Sequence, residues 1–208
     1  MRTVLVLATR NDHKIHEMKA ILRGLPVKLL TYKDFPKLKE VREDGRTLLA
    51  NAAKKAVSVA RQTGLPAISD DTGLFVDALK GEPGVYSARY AGPACSFEDN
   101  IRKLLRALKD QAMGKRRARF ECVIALATPR GMVGSAKACL MGRITVEPKG
   151  GRGFGYDPVF YVPGLKKTFA EISAAQKNRI SHRGKALRRM RGVLAGLLRK
   201  GRLHSGVD

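Results

Sequence analysis

The chain has 208 residues, 44% of them apolar, enough for one substantial domain with a buried core. Lys and Arg number 41 against 18 Asp and Glu, a formal net charge of +23, so a polyanion partner must be weighed; no RNP signature, zinc-finger spacing or Gly/Arg repeat accompanies the charge, and aromatics are only 6%. No apolar run approaches the ~20 residues of a membrane-spanning helix, and the short apolar run near Met1 leads directly into a patterned segment, so the expectation is a cytosolic protein with no membrane partner.

The first run, TVLVLA from Thr3 to Ala8, reads as a strand, followed by the turn TRNDHK. In IHEMKAILRGL the residues Ile15, Met18, Ile21, Leu22 and Leu25 recur at helical spacing, and VKLLT is the next strand. A polar loop with Glu40, Glu43 and Asp44 leads to TLLANAAKKAVSVARQTG. This predicts a long helix with Leu48, Leu49, Ala52, Ala56 and Ala60 on its buried face and Gly64 as its stop. The short strand PAIS then meets Ser69 to Gly92, SDDTGLFVDALKGEPGVYSARYAG, which reads as a glycine-punctuated loop with its acidic pair at a sharp turn.

Ser96 and Asp99 are placed to cap the helix FEDNIRKLLRALK. RFECVIALAT and MVGSAKACLMGRITV, parted by Pro129 to Gly131, read as a hairpin. The loop Glu147 to Pro158 precedes the strand VFYVP, and the chain closes on a helix with Leu187, Met190, Leu194 and Leu197 along one face. Alternating strands and helices with a late antiparallel portion predict an α/β fold with a mixed sheet. Cys95, Cys122 and Cys139 match neither a disulfide framework nor a zinc site and are expected to be buried reduced thiols; His13 and His16 are expected on an exposed helix face.

Chemistry concentrates at a few places. Asp70 and Asp71, followed by Thr72, offer carboxylate oxygens that suit Mg²⁺ and can accept a proton from water, although Asp-Asp-Thr-Gly also makes an ordinary turn. Thr9, Asn11 and Lys14 stand where the first strand hands over to a helix, and a helix N-terminus beside a cation suits phosphate; simple capping is the plainer alternative. In GFGYDP, Phe154 offers a stacking face and Asp157 an acceptor, between glycines that permit close approach. KNRISHR places two cations and an imidazole before the terminal helix, where Ser181 would equally serve as a cap.

Taken in order, TxNxxK, the segment from Glu43 into TLLANAAKKA, SDDTGLFVDALKGEPGVYSARYAG, RFECVIAL, GFGYDPVFYVP and KNRISHRGKAL resemble the inosine triphosphate pyrophosphatase family, from about Thr3 to about Leu198. The resemblance implies an elongated mixed sheet with flanking helices, residues 1–208 forming a single domain whose two lobes enclose a nucleotide cleft. It also implies a homodimer in the cytoplasm. The activity it implies is Mg²⁺-dependent hydrolysis of non-standard purine nucleoside triphosphates (inosine, deoxyinosine and xanthosine triphosphates) to the monophosphate and pyrophosphate, cleansing the nucleotide pool. Carried over by motif, Thr9, Asn11 and Lys14 hold the phosphates in a substrate-binding segment that also takes in Arg10, Asp12 and His13, with Lys14 also catalytic. Glu43 and Asp71 serve the metal, with Glu40 or Asp44 as alternatives to Glu43; Asp71 is the water-activating base, Asp70 supports it and Thr72 touches substrate. Phe154, Gly155, Tyr156 and Asp157 form the base-binding loop, and Lys177, His182 and Arg183 close on the purine.

Specificity is expected at the purine edge, where a 6-oxo group accepts and a 6-amino group donates; Arg183 donates only. Two other readings follow from the residues: a pyrophosphatase for other modified nucleotides, and a nucleic-acid-binding protein drawn to phosphate by its charge, with non-specific contact at most.

Overall fold

The computed structural model describes residues 3–201 and 203. In chain order the elements are β1 (Thr3–Leu7), α1 (Asp12–Leu22), β2 (Val27–Leu30), α2 (Leu48–Thr63), β3 (Ala67–Val76), β4 (Pro83–Gly84) and α3 (Phe97–Ala107). There follow β5 (Arg117–Thr128), β6 (Gly131–Ile144), β7 (Phe160–Val162), β8 (Lys167–Thr168), α4 (Ala174–Ile180) and α5 (His182–Arg199). One sheet runs in the order β2-β1-β3-β5-β6-β7-β8, with β4 beside β3. Strands β2 and β3 pair with β1 in parallel, whereas β4, β7 and β8 join antiparallel neighbours. The mixed α/β architecture is therefore the expected one, and among the described residues no helix is long and apolar enough to cross a membrane.

The chain forms two compact units. Among described residues the first comprises those up to Asp71, Cys122–Ala138 and those from Arg183 onward; the second comprises Thr72–Glu121 and Cys139–His182.

In the first unit the alternation of strand side chains assigns helices to faces. Leu5 and Leu7 of β1 and Ile68 of β3 pack with Ile15, Met18 and Leu22 of α1 and with Leu187, Met190 and Leu194 of α5. The opposite parity meets α2: the hydroxyl of Ser69 donates to the Ala52 carbonyl at 2.6 Å. Asn11 caps α1 by accepting from the Lys14 amide, which starts that helix at Asp12, earlier than the apolar spacing alone indicates. Thr47 caps α2, and Gly64 ends it in the left-handed region at φ 69°.

Three expectations are corrected. β3 does not stop at Ser69: it runs for ten residues through Asp70, Asp71 and Thr72, so the acidic pair lies within a strand and not at a sharp turn. Polar residues hide the strand pattern there because their charges are matched by partners from other elements. Leu49 is 42% exposed, and Asn51, Lys55 and Val59 occupy the buried stripe of α2 beside Leu48, Ala52, Ala56 and Ala60. All three cysteines are free thiols, but only Cys122 is buried; Cys95 is partly exposed and Cys139 exposed. His13 and His16 are exposed on α1, as the pattern indicates.

The core of the second unit joins Leu74 and Val76 of β3, Ile101 and Leu104 of α3, Phe120 of β5, and Phe160 and Phe169. Ser96 and Asp99 form a reciprocal capping box at the start of α3. At its other end the buried guanidinium of Arg116 donates to three carbonyls, those of Gln111, Thr145 and Leu108, at 2.9, 2.8 and 2.7 Å. It satisfies carbonyls that a helix end leaves open and ties them to Thr145, the residue just past the end of β6.

Candidate active site

Because adjacent residues of a strand face opposite ways, Asp70 and Asp71 meet different helices. Asp70 looks toward α1 and α5 and is fully buried. Its Oδ2 lies 3.1 Å from Lys14 Nζ and accepts from Arg183 Nε at 3.0 Å. Arg183, also buried, donates from Nη1 to Glu17 Oε2 at 2.5 Å, so α1 supplies both a cation and an anion to this cluster. Burial by itself would raise the pKa of Asp70, but the charges of Lys14, Arg183 and Lys55 outweigh it and hold the carboxyl far below the usual carboxylate range. Asp70 is thereby a permanent anion.

Asp71 looks toward α2. Its Oδ2 accepts from Asn51 Nδ2 at 3.0 Å, and Asn51 Oδ1 accepts from the Gly45 amide at 2.7 Å, which fixes the orientation of the carboxamide. Gly45 has no room for a Cβ, which would sit 2.6 Å from Asn51 Oδ1. Lys55, one turn further along α2, donates to the Asp70 carbonyl at 2.7 Å and to Glu43 Oε1 at 2.8 Å. Burial raises the pKa of Asp71, the nearby Lys55 charge opposes that rise, and the Glu43 carboxylate adds to it; the outcome is a carboxyl above its ordinary value. Two neighbouring carboxyls of one sequence motif are thus driven in opposite directions, the arrangement that separates a fixed charge from a proton acceptor.

Glu43 is near enough to Asp71 to raise the cost of ionising it, and both present hard oxygen donors. Among the described residues no group of three or more His, Cys, Asp or Glu side chains gathers as an ion cage. Two carboxylates suit a cation that completes its shell from water and substrate phosphate, as Mg²⁺ does. Glu40 and Asp44 are exposed, and Asp44 is paired with Lys54 at 2.6 Å.

At the first turn, Thr9 Oγ1 accepts from the Asn11 amide and Asn11 caps α1, so both support the loop. Lys14 is half-buried and pointed at Asp70. The other loop residues are more exposed: Arg10 donates to the Leu38 carbonyl and lies over the Tyr32 ring, Asp12 pairs with Lys33 at 3.3 Å, and His13 stands on the surface.

In the second unit Thr72 is half-buried in β3. The loop before β7 turns on Gly153, at φ 80°, where a Cβ would fall 2.0 Å from Asp157 Oδ2, and on Gly155, at φ 62°. Asp157 Oδ2 accepts from the Phe154 amide at 2.8 Å and from Lys177 Nζ at 2.5 Å. Lys177 also lies 4.6 Å from the Phe154 ring centroid, and Phe154 remains partly exposed. The Tyr156 hydroxyl donates to the Ser87 carbonyl at 2.9 Å, an anchor for the loop, and burial pushes its pKa up. His182 is buried, with its ring stacked on Phe120 at 4.5 Å.

The structure thus gathers Lys14, Glu43, Asp70, Asp71 and Arg183 within the first unit, and Phe154, Asp157, Lys177 and His182 within the second. Asn51, Lys55 and Glu17 were not singled out from the sequence. Asn51 and Lys55 fall at i and i+4 on the apolar stripe of α2, and a polar residue at such a place is the signal that marks them.

A fixed anion, a raised carboxyl and clustered cations define an α/β protein equipped for charge-dense, phosphate-bearing substrates. The family model described as the Ham1 family matches residues 5–193, and the chain belongs to that family. Among curated relatives, the dITP/XTP pyrophosphatase of Geobacter sulfurreducens is 51% identical over 185 residues, covering 89% of this chain and 93% of that one. The dITP/XTP pyrophosphatase of Desulforamulus reducens is 49% identical over 190 residues, covering 91% and 94%. Among solved structures, a HAM1 protein from Coxiella burnetii superposes with a TM-score of 0.85 at 42% identity, over 93% of this chain and 99% of that one.

Proposed function

We propose that this chain hydrolyses deoxyinosine, inosine and xanthosine triphosphates to the monophosphate and pyrophosphate in a metal-dependent reaction. The observation that carries the reading is the opposite tuning of Asp70 and Asp71 in one strand. Relatives at about half identity that bear the name dITP/XTP pyrophosphatase support it.

In the reaction, water attacks the α-phosphorus: a new P–O bond forms, the bond from that phosphorus to the α–β bridging oxygen breaks, and pyrophosphate leaves with the bonding pair. Asp71, held by Asn51, accepts the proton of the attacking water. Asp70 remains charged and keeps Lys14 in place beside the N-terminal turn of α1, where cation and helix dipole both favour phosphate. Glu43 and Asp71 would hold Mg²⁺, which when bound supplies charge neutralisation on the phosphate oxygens. Lys55 balances the local excess of carboxylates through its bond to Glu43. In the second unit, Phe154 is the stacking face for the purine, and the Lys177–Asp157 pair fixes the loop that carries it. Thr72 touches the substrate, and a cytoplasmic homodimer is the assembly proposed from the family resemblance.

Pyrophosphate release should be fast with deoxyinosine and xanthosine triphosphates, slow with adenosine triphosphate, and abolished by EDTA. Equal rates on all three nucleotides, or full turnover in EDTA, would refute the reading.

A further inference from the structure

The site accounts for few of the chain's cations. From His182 to Lys200, α5 and the residue after it contain no Asp or Glu. The buried side of the helix is apolar, with Ala186, Leu187, Met190 and Leu194 in the core. At 100° per residue, Lys185, Arg188 and Arg199 fall opposite the apolar side and Arg189 and Lys200 toward its flank, with Arg188, Arg189, Arg199 and Lys200 exposed and Lys185 partly so. The fifteen steps from Lys185 to Lys200 span about 22 Å at the helical rise. Two groups of cations therefore lie along the outer side of the helix, separated there by Gly192, Ala195 and Gly196. Arg189 also donates to the Lys137 carbonyl of β6, which directs its guanidinium toward a further exposed cation. Arg191 is used differently: it donates to the carbonyls of Ile21 and Arg23 and caps the end of α1.

We propose that the outer ridge of α5 is a docking surface for the phosphodiester backbone of a nucleic acid, bound through charge and without sequence preference. The chemistry of the ridge selects this partner. A second copy would set like charges against like, and an anionic membrane surface calls for apolar anchors, whereas Val193, at 37% exposure, is the only exposed large apolar residue among the described residues of this helix. Arginine suits phosphate because its planar fork donates in pairs. The surface lies outside the groups assigned to hydrolysis, so binding and turnover are separable.

The experiment compares the full chain with two variants of equal charge loss. One carries Arg188→Gln, Arg189→Gln, Arg199→Gln and Lys200→Gln; the control carries Arg102→Gln, Arg106→Gln, Lys109→Gln and Lys166→Gln, which removes cations of the second unit. Anisotropy is measured with labelled single-stranded and duplex oligonucleotides of unrelated sequence, from about 50 to 200 mM salt, and turnover on deoxyinosine triphosphate verifies folding. The unaltered chain should bind all probes and lose affinity steeply with salt. The α5 variant should bind at least about tenfold more weakly, with a salt slope shallower by about three to four, near 0.9 per lost phosphate contact, while the control keeps most of its affinity and both variants keep their turnover. Absence of binding at the lowest salt, equal loss in both variants, or capture only by phosphatidylserine vesicles would each overturn the proposal. A failure of hydrolysis in the unaltered chain, with oligonucleotide binding intact, would count against the pyrophosphatase reading alone.

Discussion

Arg183 Nε donates to Asp70 at 3.0 Å while its Nη1 donates to Glu17, so one guanidinium joins strand β3 to helix α1 through two buried carboxylates. This bridge assigns Arg183 a task that its place in the SHR motif does not reveal. It also makes removal of any one member a removal of charge balance from a buried cluster.

Asp70→Asn and Asp71→Asn should therefore differ in kind. The first strips the anion from between Lys14 and Arg183, and breaking a buried pair commonly destabilises by roughly 3–5 kcal/mol. The second should leave stability nearly intact or slightly raised, since Asp71 is ionised at a penalty, and should lower turnover by about 10² or more. Urea denaturation and initial rates on deoxyinosine triphosphate check the pair; the same loss of stability in both would contradict the division of roles.

The pH dependence follows from the same opposition. Asp70 has a folded pKa below its unfolded value, so its contribution to stability is present above about pH 3.9 and is lost as pH falls through the folded value. For Asp71 the folded pKa is raised, which favours the protonated folded state; its ionisation subtracts stability as pH rises from about 3.9 through that raised value. The acid limb of kcat/KM without saturating metal should accordingly lie above the ordinary aspartate range, and it should shift down as metal concentration increases. A limb insensitive to metal would separate the titrating group from the cation site.

Arg183→Lys keeps a charge but cannot span Asp70 and Glu17 with a planar fork. Turnover should fall for inosine and adenosine triphosphates by the same factor if bracing Asp70 is its function. If the gap between the two nucleotides narrows instead, the guanidinium reads the 6-oxo edge.

Gly153→Ala should raise KM for every purine substrate, because the added Cβ would lie 2.0 Å from Asp157 Oδ2 at a backbone angle unsuited to alanine. Phe154→Ala should do the same through lost stacking, by roughly 1–3 kcal/mol. Unchanged KM in both would exclude this loop from substrate binding.

Arg116→Lys tests architecture apart from chemistry. Three carbonyl bonds are reduced to at most one or two, so stability should fall by roughly 1–3 kcal/mol for each carbonyl left unsatisfied, with kcat per folded molecule unchanged. Thermal denaturation together with active-site titration measures both.

Much of this was legible in the chain itself. Apolar runs and periodicity located α1, α2, α3, α5 and most strands, and Gly64 and Ser96 announced a helix end and a helix start in the way their backbone chemistry requires. The continuation of β3 was not legible, because Asp70 and Asp71 break the apolar pattern and their neutralising partners come from residues up to 113 positions away. Asn51 and Lys55 escaped notice because a polar helix residue is ordinarily at the surface; here both are buried by the strand they serve. The bridging position of Arg183 depends on three distant segments meeting, which no local spacing encodes.

The parallel pairing of Val6 with Ala67 and of Leu7 with Ile68 has a consequence beyond holding the sheet together. Since neighbouring strand residues alternate in direction, a slip of one position would turn both acids to the opposite faces: in one sense it puts Asp70 beside Asn51 and carries Asp71 to the place of Thr72, in the other it puts Asp71 beside Lys14 and Arg183 and carries Asp70 to the place of Ser69. The insertion or deletion of a single residue between Ile68 and Asp70 would thus leave one of the two places without its carboxylate, although no functional residue had been substituted. Parity of the chain along β3 is in this sense part of the catalyst.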